Sequence, residues 1–390
     1  MADLYPTQHK TIQQSFTVQY QYPVMFLRNS FALDNSALAE LIDNQDEQPK
    51  ILPVIDDQVV AKQPQLISQI YSYMQQHGLN CLPAIQIAGG EACKNDTQVL
   101  DTIYSAVEKF AIDRHSYILV IGGGAVTDAV GYAAATAHRG IRLIRMPTTV
   151  LAQNDAAVGV KNAINYNKRK NYLGTFVPPF AVINDHDLLD TLEPRDKRAG
   201  IAEAIKVALI KDRAFFYELY SDKDALAKFE QTAMESMIYK GAQWHLHHIA
   251  TSGDAFEFGS ARPLDFGHWS AHKLEEISNN SLRHGEAVAI GIALDSIYSH
   301  LMGYIQQNEL AQILILLETL GFELTHPAIY QLDVKQALNE FKEHLGGRLC
   351  ITLLLQIGCG FEVREIDIAV MQDAIQALQL QEYLNWTEVA

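Results

Sequence analysis

Across the first half of the chain, short apolar or β-branched runs alternate with helical patterns. The runs over 51–55, 84–87, 117–121 and 142–145 read as strands, and the stretches 65–76, 97–112 and 125–137 between them read as helices. Such alternation predicts a parallel sheet covered by helices. Past Asp185 the pattern changes to longer helical periodicities, over 197–211, 225–249, 286–302, 310–320 and 334–343, and no comparable strand series follows. Pro178-Pro179 and the cluster Asn184-Asp185-His186-Asp187 punctuate the change. We therefore expect an α/β domain over residues 1–185 and a mostly helical domain over 186–390, with a ligand cleft between them.

Composition narrows the partners. With 390 residues, 48% of them hydrophobic, the chain supports two to three domains of about 150 residues each. Lys plus Arg is 30 and Asp plus Glu is 46, a net charge of −16, so nucleic acid and anionic membrane surfaces are poor partners. An anionic small substrate would have to be met by locally concentrated Lys and Arg. Cys81, Cys93, Cys350 and Cys359 form no C-x-x-C pair and imply neither a disulfide framework nor a thiolate zinc site. With no secretory h-region and no long uncharged apolar stretch, a soluble protein of the reducing cytoplasm is expected.

The run 117–121 leads directly into Gly122-Gly123-Gly124 and a helix carrying Asp128 and Gly131. Three glycines let a backbone approach a pyrophosphate at a helix N-terminus, where free N–H groups and the dipole favour anions. The same turn also serves as a tight strand–helix connection with no ligand, and it is not a G-x-G-x-x-G fingerprint. Downstream, Met146-Pro-Thr148-Thr149 ends the next strand and leads to Asp155, Lys161, Lys168, Arg169, Lys170 and Asn171, with Arg139 just upstream. In so acidic a chain, this basic cluster is either a solvated face or a phosphate-collecting site.

Glu203 and Lys206 are three apart on one helical stripe, by default an ordinary i,i+3 pair. His268 and His272 stand one helical turn apart, and His284 opens another apolar helix. A Glu with two His is an open divalent-metal set with room for substrate oxygens, although each histidine taken singly is more often structural. In Trp244-His245-Leu-His247-His248, His245 and His248 share a face while His247 points elsewhere. No nearby carboxylate completes a triad there, which favours a structural or substrate-facing role over metal.

The ordered set Gly122-Gly-Gly-Ala-Val-Thr-Asp128, Arg139-Gly140, Pro147-Thr-Thr149, Asp155, Lys161, Lys170-Asn171, Ala202-Glu203-Ala-Ile-Lys206, Gly267-His268, His272 and His284-Gly-Glu resembles the sugar phosphate cyclases, the dehydroquinate synthase-like family, over residues 50 to 360. The resemblance implies an NAD-binding α/β domain, a helical second domain, a Zn2+ or Co2+ ion and a homodimer. It implies Glu203, His268 and His284 as metal ligands. It implies Asp56, Glu91, Lys94, Gly123, Gly124, Asp128, Thr148, Thr149 and Lys170 as cofactor-binding positions, with Gln58 where the family often has Asn. Lys161, Lys206, Asp155, Asn171, Arg139, His272 and Asp265 fall to catalysis and substrate binding. In the family's reaction, NAD transiently oxidises a ring hydroxyl, phosphate is eliminated, the ketone is reduced again, and an intramolecular aldol addition closes the carbocycle.

The departures concern the substrate. Dehydroquinate synthases carry a Lys, an Arg and L-N-x-G-H where this chain has His247, Ala261-Arg262 and Leu264-Asp265-Phe-Gly-His268; the family's paired lysines become Lys342-Glu343-His344. Exchanging a cation and an amide for a neutral His and an anionic Asp265 disfavours a substrate carboxylate and favours a neutral hydroxyl. Together with the opening around Tyr22–Phe26 and 31–35, this resembles the 2-epi-5-epi-valiolone synthase type, which acts on sedoheptulose 7-phosphate. The competing readings are 3-dehydroquinate synthase, a metal-dependent polyol or alcohol dehydrogenase, and a non-catalytic paralogue.

Overall fold

A computed structural model describes residues 11–42, 49–167, 169–256, 264–279, 281–344 and 347–381. Lys168, Ala261 and Arg262 fall outside these residues, as does the His344 side chain. The strands are β1 (Val24–Leu27), β2 (Lys50–Asp56), β3 (Asn80–Cys81), β4 (Ile85–Ile87), β5 (Tyr117–Gly122), β6 (Arg142–Pro147), β7 (Lys161–Tyr166), β8 (Arg169–Phe176), β9 (Ala181–Asp185), β10 (Ile351–Gln356) and β11 (Cys359–Val363). Among them run α1 (Ala37–Leu41), α2 (Asp57–Lys62), α3 (Leu66–Gln76), α4 (Thr97–Lys109) and α5 (Gly124–Thr136). After β9 come α6 (Pro194–Lys211), α7 (Arg213–Ser221), α8 (Lys223–Ala227), α9 (Gln231–Thr251), α10 (His268–Ile277), α11 (His284–Leu301), α12 (Gln307–Thr319), α13 (Val334–His344) and α14 (Ile368–Gln379).

The central strand β5 is fully buried because both its faces are covered: Ile118 and Val120 pack with α4 and α5, while Tyr117, Leu119 and Ile121 pack with α1 and α3. The sheet is parallel throughout, in the order β1-β9-β6-β5-β2-β3, with β4 also on β2. From β2 the chain proceeds outward to β3 and β4, and from β5 it proceeds the other way to β6 and β9. A crevice therefore opens at the carboxyl ends of β2 and β5, the place where open α/β sheets bind ligands. Asp56 ends one strand and Gly122 the other.

The helical part has its own core, centred on α11, whose residues from Ala287 to Ser299 are all buried. Two features depart from the expectation. A β10–β11 hairpin lies among these helices, and the helix expected over 225–249 is broken at Phe229, whose φ is +57°, into α8 and α9. Among the described residues, no helix is long and apolar enough to cross a membrane.

Candidate active site

At the carboxyl end of the sheet, β5 runs into Gly123, the N-cap of α5, and no side chain caps that helix. Its opening N–H groups are thus left for an anion. Asp56 is buried at the end of β2, accepts a bond from the Gln58 amide at 2.9 Å, and has its pKa pushed up by burial. Asp128 and the buried Lys94 pair at 2.8 Å, and Lys94 also donates to Asn171 Oδ1. Glu91 accepts from Asn165 Nδ2 at 2.9 Å, and Asn165 Oδ1 takes the Asn171 amide at 2.8 Å. Thr148 donates its amide to Gly122 at 3.0 Å, and Thr149 Oγ1 accepts from the Ala152 amide at 3.2 Å. The positions expected for a dinucleotide, Gly124 included, therefore gather at one end of the sheet. Lys170 departs from them: its Nζ lies 3.5 Å from Glu275 Oε1, across the cleft.

The opposite wall comes from three helices. Glu203, in the middle of α6, is 2% exposed; His268 opens α10 and His284 opens α11. Glu203 Oε1 lies 3.5 Å from His268 Nε2 and 3.3 Å from His284 Nε2, and one ligand atom of each residue falls within 4.8 Å of the others. Both Glu203 oxygens are buried without a well-formed hydrogen bond. His268 Nδ1 meets the Phe266 carbonyl at 3.1 Å and His284 Nδ1 meets Glu275 Oε1 at 3.4 Å. These contacts brace both rings with Nε2 aimed at Glu203, the arrangement found behind metal-ligating histidines; burial opposes the His284 charge, but Glu203 and Glu275 outweigh it and raise its pKa to about 10. Burial works against the Glu275 charge, but the bond and charge of His284, together with Lys170 and His272, outweigh it and hold the carboxyl at about 2. The exposed His272 ring stands 5.5 Å from His268 and 6.1 Å from His284.

A line of charge leads away from the triad. Lys206 contacts Glu203 and lies 3.8 Å from Asp155, which sits on a π-helical turn (Ala152–Ala156) and is 3.2 Å from His245 Nδ1. Burial disfavours the Lys206 charge, yet Glu203 and Asp155 more than compensate and raise its pKa. Asp265 adds to that effect, so its carboxylate faces the same lysine. Burial lowers the His245 pKa and keeps its ring neutral, and Lys161 is among the cations that reinforce this. Two N donors, a carboxylate and a row of cations can bind a divalent ion and hold an anion beside it.

The family model for the 3-dehydroquinate synthase N-terminal region matches residues 84–199, and that for the C-terminal region matches residues 200–344. The chain belongs to the 3-dehydroquinate synthase family. It is 38% identical over 289 residues to the 3-dehydroquinate synthase of Syntrophotalea carbinolica, covering 74% of this chain and 78% of that one. With the same enzyme of Halorhodospira halophila it shares 34% identity over 276 residues, covering 70% and 77%. Among solved structures, ValA, a 2-epi-5-epi-valiolone synthase from Streptomyces hygroscopicus subsp. jinggangensis with NAD+ and Zn2+ bound, is 28% identical at a TM-score of 0.84, covering 94% of this chain and 99% of that one. A glycerol dehydrogenase from Schizosaccharomyces pombe, at 15% identity and a TM-score of 0.62, shares the fold.

Within this member of the 3-dehydroquinate synthase family, one expected substrate residue stands apart. Arg139 follows α5, whose 13 residues rise about 20 Å, so it reaches the opposite end of the sheet. There it is exposed beside Arg114, His115 and Arg142 around a separate cavity of about 580 Å³. It does not join the cleft of its own chain. From α9 the imidazole that faces the site is His245; His247 is exposed and packs edge-on against Trp244 at 5.5 Å. Helical spacing separates His247 from His245, but only the fold shows which of them meets Asp155.

Two further residues carry no mark in the sequence reading. Arg145, fully buried on β6, donates to the carbonyls of Ala157 at 2.9 Å, Gly159 at 2.8 Å and Lys161 at 3.2 Å, and to Asn162 Oδ1 at 2.6 Å. It thereby ties down the loop that delivers Lys161. A cation inside an otherwise apolar strand run is the signal that could have found it. Glu275, which braces His284, offers none.

Proposed function

We propose that the protein is a sugar phosphate cyclase that uses NAD and a divalent metal, Zn2+ or Co2+, to convert a seven-carbon sugar phosphate, sedoheptulose 7-phosphate, into a carbocycle. The observation that supports this most strongly is the convergence of Glu203, His268 and His284 beside the buried Lys206–Asp155–His245 line. The triad fits a metal: two braced rings whose Nε2 atoms face a buried carboxylate leave further positions for substrate oxygens. A bound divalent ion there supplies Lewis-acid polarisation of a hydroxyl or carbonyl. The uncapped α5 N-terminus and Asp56 fit a dinucleotide, whose chemistry is reversible hydride transfer.

The chain's own groups then divide the work. Lys206 stays protonated and pairs with developing negative charge, while Lys161 and Lys170 at the mouth bind the phosphate as point charges. Asp155, between Lys206 and His245, fixes the lysine's direction. His272, exposed beside the triad, is placed to exchange a proton with the substrate. Asn171, bound to Lys94, links the cofactor side to the substrate side. Asp265 next to Lys206 repels a carboxylate and accepts from a hydroxyl. We propose further that the enzyme acts as a cytoplasmic homodimer on this small molecule, without nucleic acid or membrane.

The test is inorganic phosphate release with NAD far below substrate concentration. Release from sedoheptulose 7-phosphate alone, with no NADH accumulating, supports the proposal. Release from the dehydroquinate synthase substrate alone supports 3-dehydroquinate synthase, the reading favoured by the names of relatives at 34% and 38% identity. Stoichiometric NADH would identify a polyol dehydrogenase instead.

A further inference from the structure

His268 and His284 are brought together by more than their own helices, and the device is a single buried carboxylate. Asp295 is wholly buried and lies eleven residues after His284 in α11. Eleven residues make about three turns, so the two residues share one face of the helix, some 16 Å apart along it. Gly291, seven residues after His284, lies on the same face. Asp295 Oδ2 accepts the Gly267 amide at 3.0 Å and Oδ1 accepts the Trp269 indole N–H at 2.9 Å. One carboxylate thus grips the residue on either side of His268.

The packing between these points is tight. Gly267 has φ +77°, a conformation that favours glycine, and a Cβ on Gly291 would stand 2.0 Å from the Gly267 carbonyl oxygen. The backbone entering α10 therefore lies directly on α11. Trp269, 2% exposed, adds a large side chain that keeps water from the carboxylate.

We infer that Asp295 is a positioning residue for the metal centre: through Gly267 and Trp269 it sets the His268 ring at ligating distance from His284, so that α11 supplies one ligand and holds the other. The inference rests on the reading of Glu203, His268 and His284 as a metal site. Asp295 touches neither metal nor substrate, so it acts through affinity and ligand geometry. In Asp295→Asn, one amide hydrogen must face either the Gly267 N–H or the Trp269 N–H, and the grip opens on that side.

The experiment is titration of the full-length apoprotein with Co2+, following the visible absorption of the bound ion. Wild type is expected to give a saturable spectrum. Asp295→Asn is expected to bind 10- to 100-fold more weakly, on the order of losses seen for groups behind metal ligands, with a shifted absorption envelope and an unchanged far-UV spectrum. Should that variant fail to fold, Trp269→Phe, which removes one donor alone, and Gly291→Ala, which presses on Gly267, are expected to move affinity and spectrum in the same direction. Folded variants with wild-type affinity and spectrum would overturn the inference. Wild type taking up no cobalt would overturn the metal reading and the inference with it.

Discussion

Replacing Arg145 by methionine keeps an unbranched side chain only as far as the Nε position and removes the four hydrogen bonds that hold the loop 157–162. Each buried acceptor left without a donor costs about 1–3 kcal/mol, and a loop that can shift toward water takes the lower end, giving about 4 kcal/mol for four. Against this, Arg145 Nε is itself buried without a partner, and removing it returns about 1 kcal/mol. The net expectation is about 3 kcal/mol, which in a unit of this size lowers the unfolding midpoint by about 6–12 °C. Burial lowers the Arg145 pKa, to about 10, so the guanidinium remains charged at neutral pH and the effect does not depend on pH between 6 and 8. The assay is thermal unfolding by circular dichroism at pH 7, with phosphate release measured well below the midpoint. Because Lys161 ends the tethered loop, turnover should fall even where the protein is folded. A midpoint within about 2 °C of wild type, with unchanged turnover, would refute the assignment of Arg145 as the loop's anchor.

His268→Ala is expected to stay folded and to lose bound metal and turnover together; metal analysis showing full occupancy would sink the triad. Asp265→Asn removes the negative charge facing Lys206 and should improve any weak activity on the dehydroquinate synthase substrate, judged by the ratio of kcat/KM for the two substrates; an unchanged ratio counts against its role. Burial pushes the Asp295 carboxyl up to about 7 from 3.8. The folded state then holds this proton more tightly than the unfolded chain, so the contribution is complete below about pH 4 and is lost as pH rises to about 7. Urea midpoints of the metal-free protein should show that decline in wild type and a shallower one in Asp295→Asn.

Four strands of the parallel sheet, β2, β4, β5 and β6, are legible in the sequence, β2 and β5 because burial on both faces leaves no polar alternation, whereas β1, β3 and β9 are not among the runs read as strands. The β7–β8 hairpin is not, since most of β8 is exposed and carries Arg169, Lys170, Asn171 and Tyr172, a composition that reads as loop. Its form depends on Arg145, which holds it from β6, and on Asn165 of β7, which bonds outward to Glu91 and Asn95 and across to the Asn171 amide. The metal triad is legible as a motif, yet its members lie on three helices, and their convergence depends on packing such as the Gly267–Gly291 contact. Arg139 shows the converse. The motif residues on either side of it, Gly123–Asp128 and Thr148-Thr149, border the cleft, but α5 carries the chain to the far end of the sheet before Arg139 and β6 brings it back.

The two walls of the cleft are held together by the π-helical turn Ala152–Ala156. One residue more than an α-helical turn rotates the succeeding residues by about 100°, so three consecutive polar side chains serve three different neighbours. Gln153 Nε2 donates to the carbonyls of Pro147 at 3.0 Å and Asp185 at 2.9 Å, tying the turn to β6 and β9. Asn154 Nδ2 donates to Gly200 at 2.8 Å, tying it to α6 one turn before Glu203. Asp155 is left to meet Lys206 and His245. The turn therefore fixes the strand ends that border the dinucleotide crevice, the helix that carries Glu203, and the carboxylate that steers Lys206, all relative to one another. Buried amide bonds on both sides of the cleft thus hold the π turn in place.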